Sequence, residues 1–166
     1  LLRQPTPEGL VDEPLAETPY VVVARHGHPL LGKSKVTLAD LADYDWIVGT
    51  PGASRRACFD DLFPAGRRPR ARIATSSLPT IRSLLANSDR LTLLTSHELL
   101  FEDDTLTAVP FGPINPVPSV GMTMRQNWLP TGLQRSFVEL VQKRIGGSSQ
   151  LAEQLTTRLK SMGLRL

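Results

Sequence analysis

The chain has 166 residues and a mass of 18.2 kDa, the size of one ordinary domain or of a domain with two small lobes, which excludes a large multidomain enzyme. Hydrophobic residues make up 40% and charged residues 21%, so neither a disordered nor a fibrous chain fits. Lys plus Arg number 19 against 16 Asp plus Glu, a formal net charge of +3 that is too small to argue for nucleic acid on its own.

One cysteine, Cys58, cannot form an internal disulfide and fits a reducing compartment. The longest apolar stretches, such as 20–24, fall far short of the roughly 20 residues of a membrane span. Residues 1–9 show no initiator Met and no signal peptide, so the chain reads as a fragment.

From Leu15 to Arg25 the chain is β-branched around Tyr20-Val21-Val22-Val23-Ala24, a run suited to a strand covered on both faces. Thr37 followed by Asp40 marks the start of a short helix over 38–43. Trp46-Ile47-Val48 reads as a strand, turned by Gly49-Thr50-Pro51-Gly52-Ala53 into a helix over 54–63. Residues 70–75 alternate as a strand, and 77–86 carry Leu78, Ile81, Leu84 and Leu85 on one helical face. Residues 91–94 form the next strand, and Thr95 with Glu98 reads as the capping box of the helix that follows.

Residues 110–118 hold four of the 14 prolines and read as an extended connector. Residues 119–125 alternate like a strand. Residues 131–145 are amphipathic, with Leu133, Phe137, Leu140, Val141 and Ile145 expected to point inward. Gly146-Gly147-Ser148-Ser149 stops that helix, and residues 150–162 suit a further, exposed one.

Alternating strands and helices argue for an α/β sandwich with a largely parallel sheet. Ligands of such sheets bind beyond the strand carboxyl ends, where loops enter helix N-termini. Three loops qualify: 49–54, 75–77 and 95–96. They put Thr50, Ser54, Ser77, Thr95 and Ser96 at or near helix starts, a set able to hold a small polar or anionic ligand. The plainer reading is that Ser and Thr simply cap helices. Donors without acidic residues in these loops favour an anion, a small carboxylate before a cation or a neutral lipid.

Six arginines, Arg55, Arg56, Arg67, Arg68, Arg70 and Arg72, face only Asp60 and Asp61 between residues 55 and 72. A solvated basic face accounts for most of them. The sharper reading is that Arg55 or Arg56 raises the potential of a carboxylate cleft. His26, His28, His97 and Cys58 lack the spacing of a metal site or a nucleophilic triad, so no metal, cofactor or catalytic residue is expected. Cys58 reads as a buried apolar residue, with redox sensing as the alternative.

The order of segments carries a resemblance. Gly9-Leu10-Val11-Asp12-Glu13-Pro14-Leu15, Tyr20-Val21-Val22-Val23-Ala24-Arg25, Gly27-His28-Pro29-Leu30, Leu38-Ala39-Asp40-Leu41 and Trp46-Ile47 resemble the effector-binding domain of LysR-type transcriptional regulators. The likeness continues through Ser77, Leu91-Thr92-Leu93-Leu94 and Arg125, over nearly all of residues 8–145. Most members look Gly-rich before the Leu91 strand and carry Pro after it; here stand Ser88-Asp89-Arg90, and then Thr95. Residues 84–94 with Gly49-Thr50-Pro51 resemble the branch that includes regulators of sugar uptake and of protocatechuate breakdown.

The resemblance implies a two-lobed α/β sandwich of periplasmic-binding-protein type with an inducer between the lobes. The expected division is a partial first lobe over 1–25, a complete second lobe over 26–118, a return to the first lobe over 119–147 and a tail helix over 148–166. The crossing strands are expected near 22–25 and 119–123. It further implies a cytoplasmic, homo-oligomeric regulator whose DNA-binding helix-turn-helix lies upstream of this chain, with no membrane contact. A free solute-binding protein of the same fold is the second reading, and an enzyme the third.

Overall fold

The computed structural model describes residues 6–63, 66–100 and 105–146. Its sheet is built around the valine run. Strand β2 (Tyr20–Arg25) pairs antiparallel with β5 (Thr92–Thr95) on one side and with β6 (Leu106–Ala108) on the other. Strand β3 (Ile47–Val48) runs parallel to β4 (Ile73–Ala74), and joins β5 through a parallel bridge from Trp46 to Leu91. The Ile47 N–H donates to Leu91 O at 2.9 Å across that bridge. The strand sequence across the sheet is therefore β6-β2-β5-β3-β4. The largely parallel sheet expected from the alternation is mixed instead, because β2 runs against both of its neighbours.

Both faces of β2 are covered, which is why it reads as a continuous apolar run. Tyr20, Val22 and Ala24 point into one core with Leu41 of α1 (Leu38–Ala42) and with Cys58 and Phe59 of α2 (Ser54–Leu62). Val21 and Val23 point into the other, with Ile81 and Leu85 of α3 (Leu78–Ala86) and Leu99 of α4 (Ser96–Leu100). Period-two alternation thus sorts one strand between two helical layers. Trp46, Phe59 and Phe63 pack with ring centroids 5.2 to 5.4 Å apart and anchor the first core.

Residues 70–75 yield only the two-residue β4. The rest of that segment follows the sheet as an edge, with Trp46 N–H donating to Arg70 O and Thr75 N–H to Val48 O. The strand β6 was not legible in the sequence, because three residues are too few to show a period.

A separate two-stranded ribbon pairs β1 (Leu10–Glu17) antiparallel with β7 (Ser119–Arg125), with a register shift between Pro14 and Ala16. Proline at that irregularity fits, since it cannot donate to the ladder. Gly121 fits nothing larger: a Cβ there would lie 2.3 Å from Glu13 O. The ribbon ends at Glu17 opposite Ser119, and Thr18 N–H donates to Pro118 O at 2.8 Å. The chain therefore passes between the ribbon and the large sheet at 17–19 and 117–119. The crossings expected near 22–25 and 119–123 are corrected, because the first stretch is the centre of the large sheet and the second lies within the ribbon strand β7.

Helix α5 (Gly132–Gly146) lies on the ribbon, with Gln142 Nε2 donating to Glu13 Oε1 at 2.7 Å. The sequence had Leu133, Phe137 and Leu140 inward, but they are 83%, 62% and 56% exposed. Only Val141 and Ile145 of that set are half-buried, because the ribbon offers α5 a narrow support. The connector 110–118 is irregular, held by buried Ile114 and Pro118. The helix expected over 150–162, in the tail 148–166, lies outside the described residues.

Candidate functional site: a hydroxyl-lined sheet edge

The loops after β3, β4 and β5 come to the sheet edge next to the crossing at Thr18 and Pro19. Gly49 makes the first turn possible. It sits beneath the first turn of α2, where a Cβ would lie 3.1 Å from the Arg56 nitrogen. Thr50 follows, exposed, and its Oγ1 lies 3.2 Å from Ser76 Oγ, so the first and second loops meet through hydroxyls. One of those two protons is shared in the contact and the other is left to donate outward. Ser76 was not singled out from the sequence; only its loop was.

Ser77 is the N-cap of α3. Its Oγ accepts from Thr80 N–H at 3.5 Å and lies 3.0 Å from Thr80 Oγ1 as acceptor, so its own hydroxyl proton remains unspent. The helix begins with Pro79 at its second position, where a missing N–H costs nothing. Ser77 N–H donates to Thr75 Oγ1 at 3.1 Å, which tightens the second loop.

The remaining residues of the expected set depart from it. Ser54 does not cap α2: the cap is Ala53, with no side-chain hydrogen bond, and Ser54 is the first helical residue. Thr95 is a cap but a spent one. Its Oγ1 donates to Glu98 Oε2 at 3.0 Å and accepts from Glu98 N–H at 3.2 Å, while its own N–H donates to Glu98 Oε2 at 2.7 Å. That is the capping box read from the sequence, and it leaves Thr95 little to offer a ligand. Ser96 is 2% exposed, and its N–H donates to Pro19 O at 2.8 Å, tying α4 to the segment that leads into β2.

The two arginines diverge. Arg56 pairs with Asp60 at 3.0 Å one turn along its own helix, on the solvated side. Arg55 reaches across to α4, where its Nη2 meets Glu98 Oε1 at 2.6 Å with only 12% of the side chain exposed. Burial raises the Tyr20 phenol pKa, with the Arg55 charge opposing that shift. Among the described residues no group of His, Cys, Asp and Glu has the makings of a metal site. Burial pushes the Cys58 thiol up to about 11, which leaves it protonated at neutral pH and inert as a nucleophile.

An apolar groove of about 630 Å³ lies elsewhere, between β7 and α5, lined by Met122, Met124, Trp128, Leu133 and Phe137 among others. It offers few polar groups to orient a small ligand.

A mixed sheet between two helical layers, with a two-stranded ribbon beside it, is an α/β fold of periplasmic-binding-protein type. The family model described as LysR substrate binding domain matches residues 1–146, and the chain belongs to that family as an effector-sensing regulatory domain. The chain is 32% identical over 124 residues to the HTH-type transcriptional regulator GalR of Pseudomonas putida, covering 72% of this chain and 31% of that protein. It is 38% identical over 72 residues to GbpR of Rhizobium radiobacter, covering 42% of this chain and 24% of that one. The chain thus spans about a third or less of these curated relatives. Among solved structures, the CcmR regulatory domain of Synechocystis PCC6803, in complex with 2-PG, superposes with a TM-score of 0.73 at 23% identity over 86% of this chain and 70% of that one. The effector binding domain of QuiR, in complex with shikimate, gives a TM-score of 0.66 at 16% identity, covering 87% of this chain and 68% of that one. At such identities the likeness concerns the fold. Among the described residues no helix is long and apolar enough to cross a membrane.

Proposed function

We propose that the edge formed by Thr50, Ser76 and Ser77, with Ser54, Thr95 and Ser96 beside it, is half of an effector cleft that takes a small carboxylate. The full-length protein is then a cytoplasmic, oligomeric regulator, a sensor and not a catalyst. Effector binding changes the disposition of a first lobe against this one and so the arrangement of the DNA-binding domains. The first lobe is represented here by the ribbon and α5, and the segments upstream of the chain complete it and carry the helix-turn-helix.

The observation that carries the ligand class is the contact between Thr50 and Ser76 beside the unspent Ser77 hydroxyl. Donors from two loops converge there, at the N-termini of α2 and α3, where no acidic residue lies within 49–54 or 75–77. Shikimate, the partner of the QuiR domain, is itself a carboxylate. Calorimetry on the full-length regulator with matched acids and amides tests the class. Acids should bind at least several-fold tighter, and equal affinities would remove the electrostatic argument. Ser77→Ala should weaken acid binding by about 1–3 kcal/mol where the hydroxyl meets the charged group. Lost stability at unchanged affinity would reduce Ser77 to a helix cap.

A further inference from the structure

An incompletely partnered cation sits where α2, α4 and the start of β2 meet. Glu98 Oε1 takes one N–H of Arg55 Nη2, while Arg55 Nε and Nη1 are closed off from solvent and have no hydrogen-bond partner. Ser96 Oγ, on the residue that ties α4 to Pro19, is in the same condition. Glu98 Oε2 is engaged by the Thr95 N–H and hydroxyl and makes no hydrogen bond to the guanidinium. Tyr20, opposite Thr95 in the sheet register, closes the cluster on the β2 side and interacts electrostatically with both Arg55 and Glu98.

A guanidinium carries five N–H donors and no acceptor, and burying its donors without acceptors is costly. Glu98 is the one acid bonded to this guanidinium among the described residues, so the group that completes it is an acceptor, and an oxyanion answers the charge as well. We propose that Arg55 is the anion-binding residue of the effector cleft. The ligand carboxylate replaces Glu98 at the guanidinium, and the enclosed Nε and Nη1 become available to it as the Glu98 side chain, 25% exposed, swings away. Glu98 is a positioning residue that aims Arg55 and competes with the ligand for it. This rests on the reading of the neighbouring edge as the effector site. It goes beyond that reading by giving the charge recognition to one side chain, with the helix N-termini secondary.

The test is a nuclear magnetic resonance titration of the 15N-labelled chain with sodium formate and sodium benzoate, and with formamide and benzamide as neutral controls. The Arg55 Nε–H signal is assigned by its loss in Arg55→Met. The two acids should move that signal and the two amides should not. Glu98→Gln keeps the shape and removes the competing charge, so it should tighten formate binding about tenfold, the scale of one charged hydrogen bond. Arg55→Met should abolish the acid preference. A structural strut predicts otherwise: Glu98→Gln would weaken binding or leave it unchanged, which overturns the proposal even where Arg55→Met fails to fold. Acid-induced shifts at Thr50 and Ser77 with Arg55 unmoved would leave the cleft standing and sink the role of Arg55. No response at any of these residues would sink both.

Discussion

His28 gives the first core of the fold a measurable acid sensitivity. Its side chain is 2% exposed, its Nδ1 accepts the Leu30 N–H at 3.1 Å, and its Nε2 lies 3.2 Å from Asp89 O. An Nδ1 that accepts requires the proton on Nε2, so the buried ring is neutral and donates to the Asp89 carbonyl. It packs against Tyr44 with centroids 4.6 Å apart. Desolvation lowers its pKa below the ordinary 6.5, with the Asp89 contacts opposing. The unfolded chain therefore binds more protons than the folded one below that pH. The stability contributed by neutral His28 is fully present above about pH 6.5 and is lost as pH falls toward the lower folded pKa. One proton limits the slope to about 1.4 kcal/mol per pH unit. Ordinary carboxylates titrate near pH 4, so the window from 6.5 down to 5 belongs to histidine. In His28→Asn, asparagine can still cap the Leu30 turn but cannot titrate. Urea denaturation from pH 5 to 7.5 should show the wild type losing stability on acidification and the variant nearly flat. The variant should start about 1–3 kcal/mol lower at pH 7.5, for the lost Asp89 contact and ring packing. Equal slopes in the two proteins would refute the neutral, buried assignment.

Further outcomes follow from other contacts. Thr92→Val should destabilise by about 1–2 kcal/mol in chemical denaturation, because the buried Thr92 Oγ1 donates to Ile47 O at 2.8 Å and its removal strands that carbonyl. Gly121→Ala should separate the ribbon, seen as a change in Trp128 fluorescence, since the new Cβ meets the Glu13 carbonyl. The chain should self-associate through α5, and Leu133→Ser with Phe137→Ser should shift it toward monomer in sedimentation at little cost in stability, because both residues are exposed.

The parts of the fold legible in the sequence are those whose signals are local. The Thr37 capping box, the Thr95 and Glu98 box and the apolar faces of α2 and α3 depend on neighbours within a turn or two, and they stand as read. The direction of β2 was not legible, because a valine run buried on both faces carries no mark of which way its partners run. Helix α5 shows the converse limit. Its periodicity is real, but periodicity names a face and not its cover, and the ribbon covers only part of it. At the site, the sequence could mark Thr95 as a cap without showing that the cap consumes its hydroxyl. It could not bring Ser76 to Thr50, which are 26 residues apart, or Arg55 to Glu98, 43 apart.

The central claim is that the effector engages the loop edge beside the crossing, and hydrogen–deuterium exchange on the full-length regulator tests it most directly. With and without a saturating acid ligand, the account predicts slowed exchange in peptides covering 49–54, 75–77 and 95–98, and in the crossing segments 17–19 and 117–119. Protection confined to the apolar groove over 122–138, with those loops unchanged, would contradict it.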